Sequence, residues 1–198
     1  YVDVDELLEK EELDALAIAT PTRTHFDIAM KGLERDLHLF VEKPMTETSE
    51  EARRLVDEAR KRGVQLMVGF IERFNPVVRR AKSVIDEGRI GKPLFLVSTR
   101  IGPWPRASVL RTGVIKDTAI HDIDISRFIF GEEPEEVYAV TGAMGDTEFE
   151  DYSTVVLRFA GGKFALIESN WLTPRKVRKL RVTGTKGCLL YTSPSPRD

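Results

Sequence analysis

The chain has 198 residues, 41% of them hydrophobic and 31% charged, with a formal net charge of −2. That length holds one substantial domain or parts of two, and the near-balanced charge excludes a general nucleic-acid binder because no dominant patch of Lys and Arg accumulates. A single cysteine, Cys188, excludes an internal disulfide framework and fits the reducing cytoplasm, and no run reaches the roughly 18 apolar residues a membrane-spanning helix needs.

In chain order, residues 13–19 form a short apolar run of strand length, broken by Thr20-Pro21. Helical spacing of Phe26, Ala29, Met30 and Leu33 follows over residues 24–35. Residues 38–41 are the next strand, ended by Pro44. Thr48 or Ser49 caps a helix running to about Arg62, with Glu50 and Glu51 in its first turn and Gly63 at its C-terminus. Residues 65–69 are a third apolar strand. Strands alternating with helices through short connections imply βαβ units and a parallel sheet, the carboxyl half of a doubly wound α/β fold. In such a sheet ligands bind outside the carboxyl ends of the strands, where Thr20-Pro21, Glu42-Lys43-Pro44 and residues 70–75 fall.

The pattern changes near residue 70. A helix over residues 75–87 ends at Gly88, and a strand covers 93–100. A second helix, residues 120–130, is stopped by Gly131 and Pro134. Strands are expected at 136–141, 152–159, 163–171 and 177–184, with a hairpin at Ala160-Gly161-Gly162. This predicts an α+β domain with an open antiparallel sheet. The basic run Arg175, Lys176, Arg178, Lys179, Arg181 alternates with Val177, Leu180 and Val182, and reads as a strand with a solvated face rather than a phosphate site. After Gly187 the composition shifts, and residues 188–198 read as a non-native tail outside the fold.

Several residues are candidates for chemistry. Glu42-Lys43 is ordinary surface decoration by composition, but a lysine at the carboxyl end of a parallel strand lies at the ligand crevice. Lys43–Pro44 is a candidate cis bond. Asp117 and His121 are four apart, so on a helix they share a face, and a carboxylate beside an imidazole can orient a general base. A helix cap with a nearby surface histidine is the alternative. Asp122 and Asp124 add carboxylates, but one histidine among scattered aspartates is poor ligand spacing, and no metal is expected. His25 sits either beside a cofactor or on the surface, while His38 is structural. Trp104 and Arg106 lie in a loop before Asp117, placed either to line a substrate pocket or, for Trp104, to pack in the core.

Taken together, Thr20-Pro21 with His25, Glu42-Lys43-Pro44, Glu72-Arg73-Phe74-Asn75-Pro76, and Asp117 through His121, Asp122 and Asp124 resemble the Gfo/Idh/MocA oxidoreductases over residues 5–187. The resemblance implies a Rossmann domain over residues 1–70 and a substrate and oligomerisation domain over 71–187. It implies hydride transfer between NAD or NADP and a secondary hydroxyl of a sugar or cyclitol, and a homo-oligomer, dimer or tetramer. Lys43 would contact substrate and nicotinamide ribose, His121 would act as acid/base and Asp117 as its partner. Thr20, Pro21, His25, Glu42 and Arg73 would line the cofactor side, and Trp104 and Arg106 the substrate side. The runs around Trp104 and from Val114 to Asp124 are most similar to nucleotide-sugar 3-dehydrogenases that oxidise UDP-N-acetylglucosamine-type substrates. A non-enzymatic sugar sensor on the same fold is the alternative function. No Gly-x-Gly-x-x-Gly loop occurs in these residues, so NAD(P) binding by the chain alone is expected to be poor.

Overall fold

Asp3 accepts a hydrogen bond from the Asp5 amide at 2.7 Å and starts a helix, α1 (Val4–Lys10), whose Val4, Leu7 and Leu8 face the core, an element the sequence reading did not place. It opens the first of two units, Tyr1–Phe70 and Ile71–Asp198. The computed structural model describes residues 1–105, 112–145 and 147–193.

In the first unit, β1 (Ala15–Ile18), β2 (His38–Val41) and β3 (Leu66–Val68) form a parallel sheet in that order. Ile18 lies opposite Val41, and Val41 opposite Val68, so the three strands end nearly level. The crossover helices are α2 (His25–Glu34) and α3 (Ser49–Arg62). Leu16, Ile18, Leu39 and Val41 point to one face and bury against Ala29 and Leu33 of α2 and Leu55 and Ala59 of α3. Each such leucine contributes about 1.5–3 kcal/mol relative to exposure. The opposite face carries the exposed Phe40 and Met67. A complete capping box fixes the start of α3. The Glu51 amide donates to Thr48 Oγ1, and the Thr48 amide donates to Glu51 Oε2, each at 3.2 Å.

The second unit begins on a 3₁₀ turn (Ile71–Phe74) and α4 (Pro76–Asp86). Asn75 accepts from the Val77 amide at 3.0 Å, and Pro76 occupies the first turn, where its missing N–H costs nothing. Six strands follow: β4 (Pro93–Ile101), β5 (Glu136–Gly142), β6 (Tyr152–Arg158), β7 (Phe164–Asn170), β8 (Val177–Gly184) and β9 (Cys188–Ser193). Their order is β5-β6-β7-β4-β8-β9. The sheet is open and antiparallel at every junction but one. β4 and β7 run parallel, a mixed pairing that period-2 patterning alone does not distinguish. Gly161 and Gly162 take positive φ (68° and 79°) in the β6–β7 turn, where other residues are strained.

Helix α5 (Ile120–Phe130) covers one face of this sheet. Ile125 and Ile129 pack with Leu96, Val155, Leu157, Phe159, Ile167, Leu180 and Val182. The other face leaves Tyr138, Val140 and Leu190 exposed, and Val137 is exposed on the core side of the edge strand β5. One expectation is corrected at its edge. Residues 188–193, set outside the fold by their composition, form β9, because the free edge of β8 supplies hydrogen-bond partners and Leu189 and Tyr191 pack on the core.

Candidate active site

In the first unit the candidate residues gather at the carboxyl edge of the sheet. Thr20-Pro21 follows β1, Glu42-Lys43-Pro44 follows β2, and Gly69 follows β3. His25, at the start of α2, is 1% exposed. Its Nε2 lies 2.7 Å from the Thr20 carbonyl oxygen and its Nδ1 3.0 Å from that of Pro44, so the ring ties the first two strand ends together. The surface reading of His25 is therefore excluded. Thr24 adds to this turn by donating to Thr20 Oγ1 or the Pro21 carbonyl, each 2.8 Å away. The Lys43–Pro44 peptide is cis.

Glu42 accepts from the Lys43 amide at 3.1 Å, and its carboxylate lies over Gly69, where a Cβ would stand 2.9 Å from Glu42 Oε1. A side chain at residue 69 would displace that carboxylate. Thr20 and Pro21 are exposed and Lys43 is half-buried, so this edge offers a hydroxyl, backbone groups and an ammonium to a ligand. That donor set suits the nicotinamide half of a dinucleotide, and the pyrophosphate would need a glycine-rich loop that these residues do not contain.

In the second unit, Ile115–Ala119 is a π-helical turn leading directly into α5. Such turns recur at functional sites. Asp117 stands in it, half-buried, and His121 follows in the first turn of α5. Beneath Asp117 runs a donor chain. The buried Trp171 indole N–H donates to Thr118 Oγ1 at 3.1 Å, and the Thr118 hydroxyl donates to Asp117 Oδ2 at 3.2 Å. Neither Trp171 nor Thr118 was among the residues picked out from the sequence. Tryptophan at the end of a strand is ordinary, and only the fold brings its indole under residue 118.

Trp104 packs on Trp171 with ring centroids 6.0 Å apart and remains 39% exposed, which combines the two roles its position suggested. Arg106 lies outside the described residues. A cavity of about 290 Å³ opens here, lined by Asp117, Thr118, Asn170, Trp171, Arg100, Lys176 and Arg178.

Asp122 and Asp124 are committed elsewhere. Each is 2% exposed. Arg100 donates to Asp122 through Nε at 2.6 Å and reaches Glu72 through Nη1 at 3.0 Å, while Ser98 donates to Asp122 at 2.7 Å. Burial raises the Glu72 carboxyl, but the Arg100 charge and hydrogen bonds from Arg100 and Asn75 outweigh it and hold the group below its ordinary value. The charge of His121 acts in the same direction, so the imidazole lies within Coulombic range of Glu72. Arg73 forks onto Asp124 at 2.8 and 2.6 Å and stacks its guanidinium 5.5 Å from the Phe128 ring centroid. Arg73, read from the motif as a cofactor-side residue, thus has its guanidinium engaged inside the second unit. Among the described residues no cluster of three or more His, Cys, Asp or Glu is set to hold a metal, and no helix is long and apolar enough to cross a membrane.

With this geometry, the matches to known proteins fall into place. Residues 1–70 match the family model described as oxidoreductase family, NAD-binding Rossmann fold, and residues 78–190 match the GFO/IDH/MocA C-terminal domain. The class is that of Rossmann-fold oxidoreductases with a sheet-based second domain. The chain belongs to the Gfo/Idh/MocA family. It is 33% identical over 199 residues to the myo-inositol 2-dehydrogenase of Thermotoga maritima, covering 94% of this chain and 59% of that protein. Against the UDP-N-acetylglucosamine 3-dehydrogenase of Acidithiobacillus ferrooxidans it is 32% identical over 182 residues, covering 92% and 56%. The WlbA dehydrogenase of Bordetella pertussis, in complex with NADH and UDP-GlcNAcA, superposes with a TM-score of 0.89 at 25% identity, over 98% of this chain and 59% of that one. The chain thus spans about three fifths of the length of these relatives.

Proposed function

We propose that the protein containing this chain is an NAD(P)-dependent dehydrogenase that oxidises a secondary hydroxyl of a sugar or nucleotide sugar, with UDP-N-acetylglucosamine at C3 as the leading substrate. The observation that carries the reading is Asp117, held from below by Thr118 and Trp171 at the wall of a polar cavity, with His121 one helical step beyond. Relatives named as inositol and UDP-N-acetylglucosamine dehydrogenases support the same chemistry.

A carbinol carbon gives up hydride only as its hydroxyl proton leaves, so a base must stand within hydrogen-bond reach of that oxygen. His121 takes this proton in the oxidative direction and returns it in the reductive one. Asp117 accepts from a neighbouring substrate hydroxyl or from the imidazole and fixes the orientation of the pair. Lys43, with Thr20, Pro21 and Glu42 at the same sheet edge, holds the nicotinamide ribose and the substrate hydroxyl, and His25 keeps that edge in shape through its two backbone contacts. When bound, NAD(P)⁺ supplies the hydride acceptor. Oxidation gives a ketone, a reduced nicotinamide and a proton on His121. The exposed apolar face of the second sheet supports assembly of the whole protein into a dimer or tetramer, and the lone exposed Cys188 fits a cytoplasmic setting.

The test uses the protein at the full length of its relatives. Reduced nicotinamide is followed by absorbance with UDP-N-acetylglucosamine, inositol and simple hexoses, for wild type, His121→Ala and Lys43→Ala. Turnover that both substitutions lower by about 10²–10⁴-fold, the range for general acid–base catalysis, supports the assignment. Activity with inositol alone moves the substrate to cyclitols. Sugar binding with no turnover on any polyol favours the sensor reading.

A further inference from the structure

The basic run of β8 does not lie wholly on a solvated face. Arg178, Leu180 and Val182 share one side of the strand, and their antiparallel partners on β4 are Arg100, Ser98 and Leu96. Leu180, Val182, Leu96 and Ser98 are all buried, so Arg178 extends the core face while Lys179 and Arg181 point away. Arg178 is therefore paired directly across the ladder with another arginine, an arrangement that destabilises a sheet.

The two arginines differ in their company. Arg100 is matched by Asp122 and Glu72. Among the described residues Arg178 has neither a hydrogen bond nor an ion pair, and the same holds for Lys176. Both line the 290 Å³ cavity that also takes Asp117 and Asn170. Desolvation first, and then the charge of Arg100, push the Arg178 guanidinium below its ordinary value. Asp122, Glu72 and Asp117 attract it only through longer-range charge, and a half-buried cation that is repelled by its cross-strand partner and has no hydrogen-bonded carboxylate is costly unless something else supplies one.

We propose that Arg178, with Lys176 in the same wall, is an anion-recognition site of the substrate cavity, selecting sugars or polyols that carry a carboxylate or phosphate over neutral ones. The proposal rests on the reading that this cavity receives the substrate. The planar guanidinium matches either oxyanion with two parallel N–H donors, whereas Lys176 adds a point charge. Asp117 on the same wall suits hydroxyls and disfavours an anion near itself, which orients an anionic arm away from the reacting end of the substrate.

The experiment measures binding to the 198-residue chain by calorimetry, with glucuronate, glucose 1-phosphate, UDP-N-acetylglucosamine, N-acetylglucosamine and inositol as probes. Wild type and Arg181→Gln, a control on the outward face of β8, are expected to prefer at least one anionic probe over its neutral counterpart by about tenfold, the effect of one charge-assisted contact. Arg178→Gln is expected to bring the ratio close to one, and Arg178→Lys, which keeps charge but not the fork, to leave it in between. Circular dichroism confirms that each variant is folded. Glucuronate preferred over the phosphates assigns the site to a carboxylate, and the reverse order to a phosphate. A wild-type ratio near one, or a ratio that Arg178→Gln does not move, overturns the proposal. The dehydrogenase reading fails separately. Nicotinamide reduction by the full-length protein that is insensitive to Arg178 keeps that reading and removes this one, while Arg178-dependent anion binding without turnover on any polyol does the reverse.

Discussion

The two units bury polarity in opposite ways. In the first, the core between sheet and helices is built from Leu, Ile, Val and Ala, and its one deeply buried ionisable side chain, His25, contacts backbone carbonyls at the sheet edge. In the second, ionic groups sit on the core face of the sheet itself. Arg100 and Ser98 continue the face begun by Leu96, and Asp122 and Asp124 project from α5 to meet Arg100 and Arg73. The first unit shapes a backbone edge against which a ligand can lie. The second holds charged side chains in fixed places, and that is where proton transfer and substrate recognition are proposed.

The largest effect that would sharpen this contrast is expected at Asp122. Its removal leaves Arg100, 9% exposed, with Glu72 as its remaining ion-pair partner among the described residues, and breaking a buried pair from one side costs about 3–5 kcal/mol. Urea unfolding of Asp122→Ala measures it. The double variant Arg100→Met with Asp122→Leu is expected to lose far less, because no uncompensated charge remains. Equal losses in the two variants would mean that the network is not acting as a charge pair. Acid acts on the same network. The carboxyl of Glu72 is depressed in the folded protein, so its contribution is complete above the ordinary value of 4.5 and disappears as pH falls through the lower folded value. The urea midpoint should therefore drop below about pH 4.5, and Glu72→Gln should flatten that drop.

The corresponding break in the first unit is His25→Ala, which strips a ring from two carbonyls at the sheet edge. A cost of about 1–3 kcal/mol is expected, whereas His38→Ala, at an exposed position where the ring accepts from the Gln65 amide at 3.1 Å, should cost no more than about 0.5–1 kcal/mol. A small cost at His25 would mean that the edge is held by the strands alone.

How much of this was legible in the sequence follows the same division. Strand ends in a βαβ pattern are announced by Pro and Gly, so Thr20-Pro21, Glu42-Lys43-Pro44 and the capped α3 could be placed from local signals. Helix α1 was missed because two turns are short for a periodicity argument, although Val4, Leu7 and Leu8 at helical spacing, with Asp3 as cap, were a usable signal. In the second unit the decisive pairs are remote, Arg73 with Asp124 and Arg100 with Asp122, and β4 finds a parallel partner in β7 some seventy residues later. No local pattern encodes those meetings. Arg178 was recoverable, since counting back by two from Val182 and Leu180 reaches it. The density of basic residues around it suggested solvent instead. The lone strand β9 was hidden by a change in composition that says little about whether Leu189 and Tyr191 can pack.

Trp171→Phe probes the polar scaffold more gently. It keeps an aromatic ring near Trp104 but removes the indole donation to Thr118 and part of a buried ring, so a stability loss of about 1–3 kcal/mol is expected. On the dehydrogenase reading, kcat should fall with little change in KM, since Asp117 loses orientation rather than substrate contact. A rise in KM at constant kcat would show Trp171 acting on binding instead.

The smallest expected effect is also the one with opposite sign. Asp122→Ala, His25→Ala and Trp171→Phe each remove a satisfied partner and destabilise. Arg178→Gln removes a charge that faces another arginine across the ladder, and like charges directly opposed cost a sheet about 0.2–1 kcal/mol. The variant should therefore unfold at slightly higher urea than wild type while losing its preference for anionic probes. Arg181→Gln, on the other face of the same strand, should change neither. A residue kept at a cost to stability and needed for recognition is what a binding role predicts. If Arg178→Gln instead destabilised the chain, Arg178 would be part of the scaffold, and the second unit would hold all its buried charge for structure.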